Sequence, residues 1–213
     1  MKEKRDILIV GVGGQGIILA SEILSDAGME AGFEVKKSEV HGMSQRGGSV
    51  STHIRFGPRV FSPLIRQGEA DFLLAFEMLE ALRWVHFLCP EGIIIVNKLK
   101  INPTTVSSGF MEYPPDIERL LDRSGHKVQC VEGLKLAEQA GSPKAMNNVL
   151  LGAISNYLPE IPEELWLRTI GSRVPPKTRK VNEQAFSLGR HEGRALKDQQ
   201  GRKKKCSQRV KLN

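Results

Sequence analysis

Two short loops hold the residue types in this chain that could do chemistry. Gly11-Val12-Gly13-Gly14-Gln15-Gly16 has the G-x-G-x-x-G spacing, and Arg46-Gly47-Gly48 closes the ornate stretch His41-Gly42-Met43-Ser44-Gln45-Arg46-Gly47-Gly48-Ser49. The glycines have separate physical roles. Gly11 suits a sharp turn at positive φ, Gly13 close approach to a ligand or neighbouring chain, and Gly16 tight packing of helix on strand. A helix that begins at such a turn presents unpaired N–H groups and partial positive charge to an anion. With the N–H groups of Gly13 to Gly16, the side chain of Gln15 and the planar donor fork of Arg46, the two loops could hold a phosphate of a cofactor or a carboxylate from a partner. The alternative is an internal ion pair from Arg46 beneath the glycine turn.

No catalytic constellation accompanies them. The five histidines (His41, His53, His86, His126, His191) are scattered, with no metal-ligand spacing. Ser44 and Ser49 have no adjacent base and no nucleophile elbow around them. No residue is therefore assigned to catalysis or to a metal. His41, in the loop before Arg46, is the histidine to watch.

The elements that must position these loops are legible from patterning. Ile7-Leu8-Ile9-Val10 is a short buried strand, and Ile17-Ile18-Leu19-Ala20, continued by Ile23, Leu24 and Ala27, is an amphipathic helix to about residue 28, ended by Gly28 or Gly32. Residues 34–40 read as a second strand, Ser49–Phe56 as a half-exposed third, and Gly57-Pro58 as a turn that returns Arg59-Val60-Phe61 as a short hairpin partner. Asp71–Phe76 and Gly92–Asn97 read as central strands, with a helix over Glu77–Phe87 between them. Pro114-Pro115-Asp116 begins a helix ended near Gly125, His126–Val131 is a strand, and Glu132–Ala140 a short helix. Helices then start at Ser142-Pro143, Pro162 and Pro175-Pro176, the last ending near Leu188. The expected fold is a three-layer α/β/α domain with a mostly parallel, Rossmann-like sheet, a β-hairpin and C-terminal helices. Loops after the first two strands should then be neighbours at one crevice. A dinucleotide would need an acid at the end of the second strand to hold a ribose; Glu34 and Glu39 are available.

Taken together, the glycine turn and Arg46-Gly47-Gly48 resemble the gamma-type subunit of 2-oxoacid:ferredoxin oxidoreductases, with the nearest likeness to the small (beta) subunit of indolepyruvate ferredoxin oxidoreductase. The resemblance runs from about Arg5 to Gly189 and includes Asn147, Asn148 and Gly152 on one helix and Asn182, Ala185, Phe186 and Gly189 on the last. It implies a CoA-dependent oxidative decarboxylation of a 2-oxoacid, such as indolepyruvate or another arylpyruvate, that reduces ferredoxin. It also implies thiamine diphosphate, iron–sulfur clusters and coenzyme A in the complex. This chain shows no thiamine-diphosphate motif and only Cys89, Cys130 and Cys206, with no close spacing. The cofactors are therefore expected on a large partner subunit, through which ferredoxin is engaged. The chain is expected to complete that assembly; homodimerisation of the isolated chain is left open. The alternative is a self-contained NAD(P)-binding dehydrogenase.

Composition bounds the rest. The chain has 213 residues, 40% hydrophobic and 26% charged, and suits one domain. No apolar run approaches a membrane span, and the basic start lacks a signal-peptide cleavage pattern, so a cytoplasmic location is expected. The net charge of +7 is local: residues 190–213 carry nine Lys/Arg against Glu192 and Asp198, while residues 1–189 hold 22 basic and 22 acidic side chains. The expected boundaries are thus a domain over 1–189 and a basic, disordered tail over 190–213. A neutral domain is a poor bulk nucleic-acid binder; only the tail could act by charge. Cys89 and Cys130 are expected to be small buried hydrophobes. Asn147 and Asn148 are either caps facing solvent or interface residues.

Overall fold

The apolar run near the N-terminus forms the centre of a mixed sheet. The structure is a computed structural model that describes residues 4–41, 48–102, 106, 109 and 112–210. Strand β1 (Arg5–Val12) lies between β3 (Ser49–Gly57), antiparallel to it, and β4 (Ala70–Ala75), parallel to it. Strand β2 (Glu34–His41) pairs antiparallel with β3 at one edge; β5 (Leu88–Asn97) and β6 (Lys127–Val131) continue the parallel side, giving the order β2-β3-β1-β4-β5-β6. Both faces of β1 are covered, which is why it reads as an unbroken apolar run rather than an alternating one. Ile7 and Ile9 enter one core cluster and Leu8 and Val10 the other, as the two-residue period of a strand demands.

The larger cluster is closed by α1 (Ile17–Glu30), α4 (Gly133–Gln139), α5 (Met146–Ser155), α6 (Glu163–Arg173) and α7 (Arg179–Val210); the smaller one by α2 (Met78–Trp84) and α3 (Ile117–Asp122). The three-layer, mostly parallel architecture anticipated from the sequence is the architecture found. Helix α1 ends at Gly32 rather than Gly28. Gly32 has φ 81°, its N–H reaches the Met29 carbonyl, and the Phe33 N–H reaches back to the Gly28 carbonyl, a Schellman-type ending.

Two expectations are corrected. Arg59-Val60-Phe61 does not return as a strand. The Val60 N–H instead donates to Glu34 Oε2 at 3.0 Å, and Phe61 stands exposed under the Arg59 guanidinium. The hairpin that exists is β2–β3. The last helix also does not stop near Leu188: α7 runs from Arg179 to Val210. Three of its residues past Gly189 pack on the domain. Arg190 donates to Ser155 Oγ at 2.7 Å, Lys197 to the Asn156 carbonyl at 2.8 Å, and Leu196 rests against the core.

Helices α5 and α7 cross at glycines. A Cβ on Gly152 would strike the backbone of Phe186, and one on Gly189 the backbone of Val149. Asn148 is fully buried in this contact and donates to Asn182 Oδ1 at 2.7 Å. The Asn147 and Asn148 side chains are both buried, so the solvent-facing part of the capping alternative fails, while Asn147 Oδ1 still accepts the Asn148 N–H in the first turn of α5.

Candidate functional site

The glycine turn leaves β1 at its carboxyl end and delivers the chain into α1. Positive φ falls at Gly14 (100°) and Gly16 (78°), not at Gly11, which remains in the strand. Gly11 is instead the close-packing glycine: an added Cβ would lie 2.7 Å from Gln15 Oε1, 2.8 Å from Phe76 Cβ and 2.9 Å from Ile17 Cδ1. Gly16 is the N-cap of α1 in the left-handed conformation, and no side chain caps that helix. A Cβ there would stand 3.2 Å from Asn147 Nδ2. Gly16 thus serves both the turn and the approach of α5, at a position where other residues would be strained.

Gln15 does not point outward as an anion ligand would. Its Oε1 accepts the Val12 N–H at 2.7 Å and its Nε2 donates to the Phe76 carbonyl at 2.9 Å, so the amide is used beneath the turn. The Gly13 N–H donates to the Gly48 carbonyl at 2.9 Å and the Gln15 N–H to the Val12 carbonyl at 3.2 Å. Among the described residues, the N–H groups left without a protein acceptor in the turn are those of Gly14 and Gly16, followed by the first turn of α1.

The Gly13–Gly48 hydrogen bond places the two loops side by side, through the register Val12↔Ser49 that brings the start of β3 beside the end of β1. The adjacency arises differently from the expected route. β2 does not flank β1; the antiparallel β3 is inserted between them. Arg46 and Gly47 lie outside the described residues. The insertion also removes the dinucleotide arrangement, in which the second strand lies beside the first and its terminal acid reaches the ribose. Glu39 pairs with Lys37 at 2.7 Å and Glu34 holds the Val60 N–H, so neither acid faces the turn.

A cleft of about 450 Å³ opens on the turn, lined by Gly14, Gln15, Gly16, Leu19, Pro143, Lys144, Met146 and Asn147. Its far wall is the start of α5, where Ser142 Oγ accepts the Lys144 N–H at 3.3 Å and Pro143 opens a 3-10 turn. Lys144 is exposed at the rim. Asn147 is 3% exposed; its Oδ1 accepts the Asn148 N–H, and its Nδ2 has no acceptor among the described residues. The amide donor of Asn147, one ammonium and an uncapped helix start therefore share a single opening, a combination that favours a negatively charged group.

The neighbouring helix shows the contrast. Glu77 caps α2 with its own carboxylate, Oε2 accepting the Glu80 N–H at 2.9 Å while Oε1 accepts Tyr113 Oη–H at 2.6 Å and the Ile101 N–H at 3.2 Å. The positive end of α2 is thus already satisfied and that of α1 is not. Burial and then the Glu77 carboxylate keep the Tyr113 phenol protonated far above its ordinary range. Asn97, at the end of β5, ties the region together: its Nδ2 donates to the Phe76 carbonyl at 3.2 Å and its Oδ1 accepts the Gly133 N–H at 3.0 Å. Glu77, Glu80, Asn97 and Lys144 were not singled out in the sequence. Asn97 carried the clearest signal, a polar residue closing an otherwise apolar strand.

A larger cleft, about 720 Å³, lies at the opposite end of the sheet against Lys4, Asp6, Arg55, Ser62, Leu64, Arg66, Glu69 and Asp71. Its inner charges satisfy one another. Arg55 grips Asp6 at 2.9 and 2.7 Å, Lys4 reaches Asp6 at 2.8 Å, and the Asp6 N–H donates to Asp71 Oδ2 at 2.8 Å. That mutual pairing makes it a weaker candidate despite its volume. His53 is also internal, its Nδ1 accepting the Ile65 N–H at 3.2 Å.

An iron–sulfur cluster does not suit this chain. Four thiolates are the usual ligand set and the chain has three cysteines. Cys89 and Cys130 are half-buried rather than buried, and burial pushes the Cys130 thiol up to about 11.

Comparison with known proteins speaks to the family and the fold. The family model described as pyruvate ferredoxin/flavodoxin oxidoreductase matches residues 6–192. The indolepyruvate oxidoreductase subunit IorB of Thermococcus kodakarensis is 42% identical over 194 residues, covering 89% of this chain and 95% of the relative. The crystal structure of the keto/oxoacid ferredoxin oxidoreductase gamma subunit from Geobacter sulfurreducens superposes with a TM-score of 0.67 at 23% identity, over 90% of this chain and 99% of that one. The 2-oxoglutarate:ferredoxin oxidoreductase of Magnetococcus marinus gives 0.69 at 21% identity, over 92% of this chain but 32% of that one. These two superpositions speak for the fold.

Proposed function

The chain belongs to the pyruvate ferredoxin/flavodoxin oxidoreductase family, and we propose that it is the small subunit of a 2-oxoacid:ferredoxin oxidoreductase acting on indolepyruvate or another arylpyruvate. The complex would convert the 2-oxoacid and coenzyme A to an acyl-CoA and carbon dioxide while reducing ferredoxin. Thiamine diphosphate and the iron–sulfur clusters reside on a larger partner subunit, which also engages ferredoxin. This subunit completes the assembly. The substrate class follows the 42% identity to an indolepyruvate oxidoreductase subunit over nearly the whole relative. The Magnetococcus structure supports a larger partner, since there the same fold occupies about a third of a longer chain.

The site of engagement is the cleft between the glycine turn and the start of α5. Gly14, Gly16, Lys144 and Asn147 receive a negatively charged group, either a carboxylate of the partner or a phosphate of a cofactor seated on it. Gly11, Gly13, Gln15 and Gly48 shape the turn. The observation that carries this reading is the uncapped, cation-flanked start of α1 beside the self-capped α2.

The test is co-expression of this chain with the large thiamine-diphosphate subunit from the same source. A stable complex that oxidises indolepyruvate only when both chains are present is expected; full activity of the large subunit alone would overturn the role. Lys144→Glu is expected to weaken assembly roughly tenfold or more by placing a carboxylate where an anion must enter, and Lys144→Arg to retain it.

A further inference from the structure

One buried carboxylate near the glycine turn belongs to neither wall of the cleft. Glu80, on α2 across the sheet, is 2% exposed. Its Oε2 accepts Ser49 Oγ–H at 2.5 Å and Trp84 Nε1–H at 3.2 Å, and its Oε1 pairs with Arg83 at 3.0 Å. Ser49 is the first residue of β3, and the carbonyl of the residue before it, Gly48, accepts the Gly13 N–H. A continuous path therefore runs from the Glu80 carboxylate through the Ser49 hydroxyl and one peptide unit to the first N–H of the turn.

We infer that Glu80 is a positioning residue for the glycine turn, acting through Ser49 and Gly48 to hold the Gly13 peptide in place while Gln15 holds the other leg from below. The turn has two legs, and a side-chain hydrogen bond bears on each. On the Val12 leg, Gln15 bridges the Val12 N–H and the Phe76 carbonyl. On the Gly13 leg, the Gly13 N–H donates, among the described residues, to the Gly48 carbonyl. The strand end that supplies that carbonyl has its hydroxyl side chain pinned by Glu80. A buried carboxylate is costly to desolvate unless its oxygens are well satisfied; here a hydroxyl, an indole and a guanidinium satisfy it, so the arrangement fixes one geometry. The consequence is a turn already shaped for its anionic partner before that partner arrives. The last step rests on the assembly role proposed above; the positioning itself does not.

The experiment uses the full chain and reads amide hydrogen exchange at Gly13, with thermal unfolding measured in parallel. Ser49→Ala and Glu80→Ala are each expected to accelerate Gly13 exchange roughly tenfold or more relative to the strand-interior amides of β1, and the double variant no further than either alone, because both cut one path. Glu80→Gln, which keeps an acceptor for the Ser49 hydroxyl, is expected to restore slow exchange. Unchanged Gly13 exchange in Ser49→Ala would overturn the inference, as would acceleration spread evenly over β1 and α2, the signature of a merely structural residue. Affinity for the co-expressed large subunit forms the second readout, expected to fall with Ser49→Ala and to be retained in Glu80→Gln. If the wild-type chain fails to bind that subunit, the assembly role falls while the Gly13 result stands by itself.

Discussion

At the scale of single residues, the glycine turn shows how little spacing says about individual jobs. Gly11, Gly13 and Gly16 fit the G-x-G-x-x-G pattern, yet the conformational demand falls on Gly14 and Gly16, and Gly11 is excluded from bearing a side chain by packing alone. Gly11→Ala is expected to cost about 1–3 kcal/mol, the range for overpacking a filled site, read as a lower urea midpoint without a change in slope. Cys130 gives a chemical prediction. With its thiol held up to about 11 by burial, little thiolate exists at pH 8, and alkylation by iodoacetamide is expected to run roughly a hundredfold slower than in the urea-unfolded chain; equal rates, measured by peptide mass spectrometry, would refute that environment. His53 sets a pH dependence. Burial, then the Arg55 charge, lowers its pKa in the fold, so the unfolded chain takes up its proton first. Stability is full above the unfolded value near 6.5 and falls as the pH drops through it toward the folded pKa. His53→Gln is expected to flatten that decline between pH 7.5 and 5.5 in denaturant titrations.

At the scale of elements, the departures from expectation have one source: pairing partners are chosen by tertiary position, not by the nearest turn signal. Gly57-Pro58 is a turn signal, but the apolar groups that follow, Val60 and Ile65, are buried against the sheet while the backbone of Val60 is claimed by Glu34. A strand there would have left those contacts unmade. Helix α7 outran its expected end because Gly189 and Gly193 permit it to cross α5 at backbone contact distance, and close packing rewards continuing the helix. Gly189→Ala should therefore be severe, about 3 kcal/mol or more, since the atom it meets is the Val149 backbone rather than a movable side chain. A shift of only a few tenths of a kcal/mol, the ordinary gain of alanine in a helix, would contradict the crossing.

At the scale of the whole molecule, the same helix layer bears on the domain's edge and on the cleft. The expected boundary lies at Gly189, while Arg190, Leu196 and Lys197 beyond it contact the domain. A chain ending at Asp198 is expected to unfold within about 0.5 kcal/mol of the full chain, as changes away from packed features do. One ending at Gly189 should lose roughly 2 kcal/mol or more through the buried part of Leu196 and the ends of α5 it covers; equal stabilities of the two truncations would restore the earlier boundary. The cleft also exists only at this scale, since Gly14–Gly16 and Pro143–Asn147 meet through the stacking of α5 beside α1.

Read alone, the amino-acid sequence determined the layer architecture, nearly all of the strands and helices, and the family. Each of these is written locally, in apolar period, in proline and glycine punctuation, and in the paired motifs Gly11–Gly16 and Arg46–Gly48. It also placed the two loops side by side, as the Gly13–Gly48 hydrogen bond shows for the described part. Tertiary structure alone decided which glycine turns and which packs, that Gln15 works beneath the turn, that β3 separates β1 from β2, that Lys144 and Asn147 line the cleft, and that Glu80 reaches the start of β3 from α2. These are properties of atoms brought together from distant positions, as Glu80 and Ser49 are across 31 residues, and no local pattern of residue types encodes which remote partner a side chain will meet.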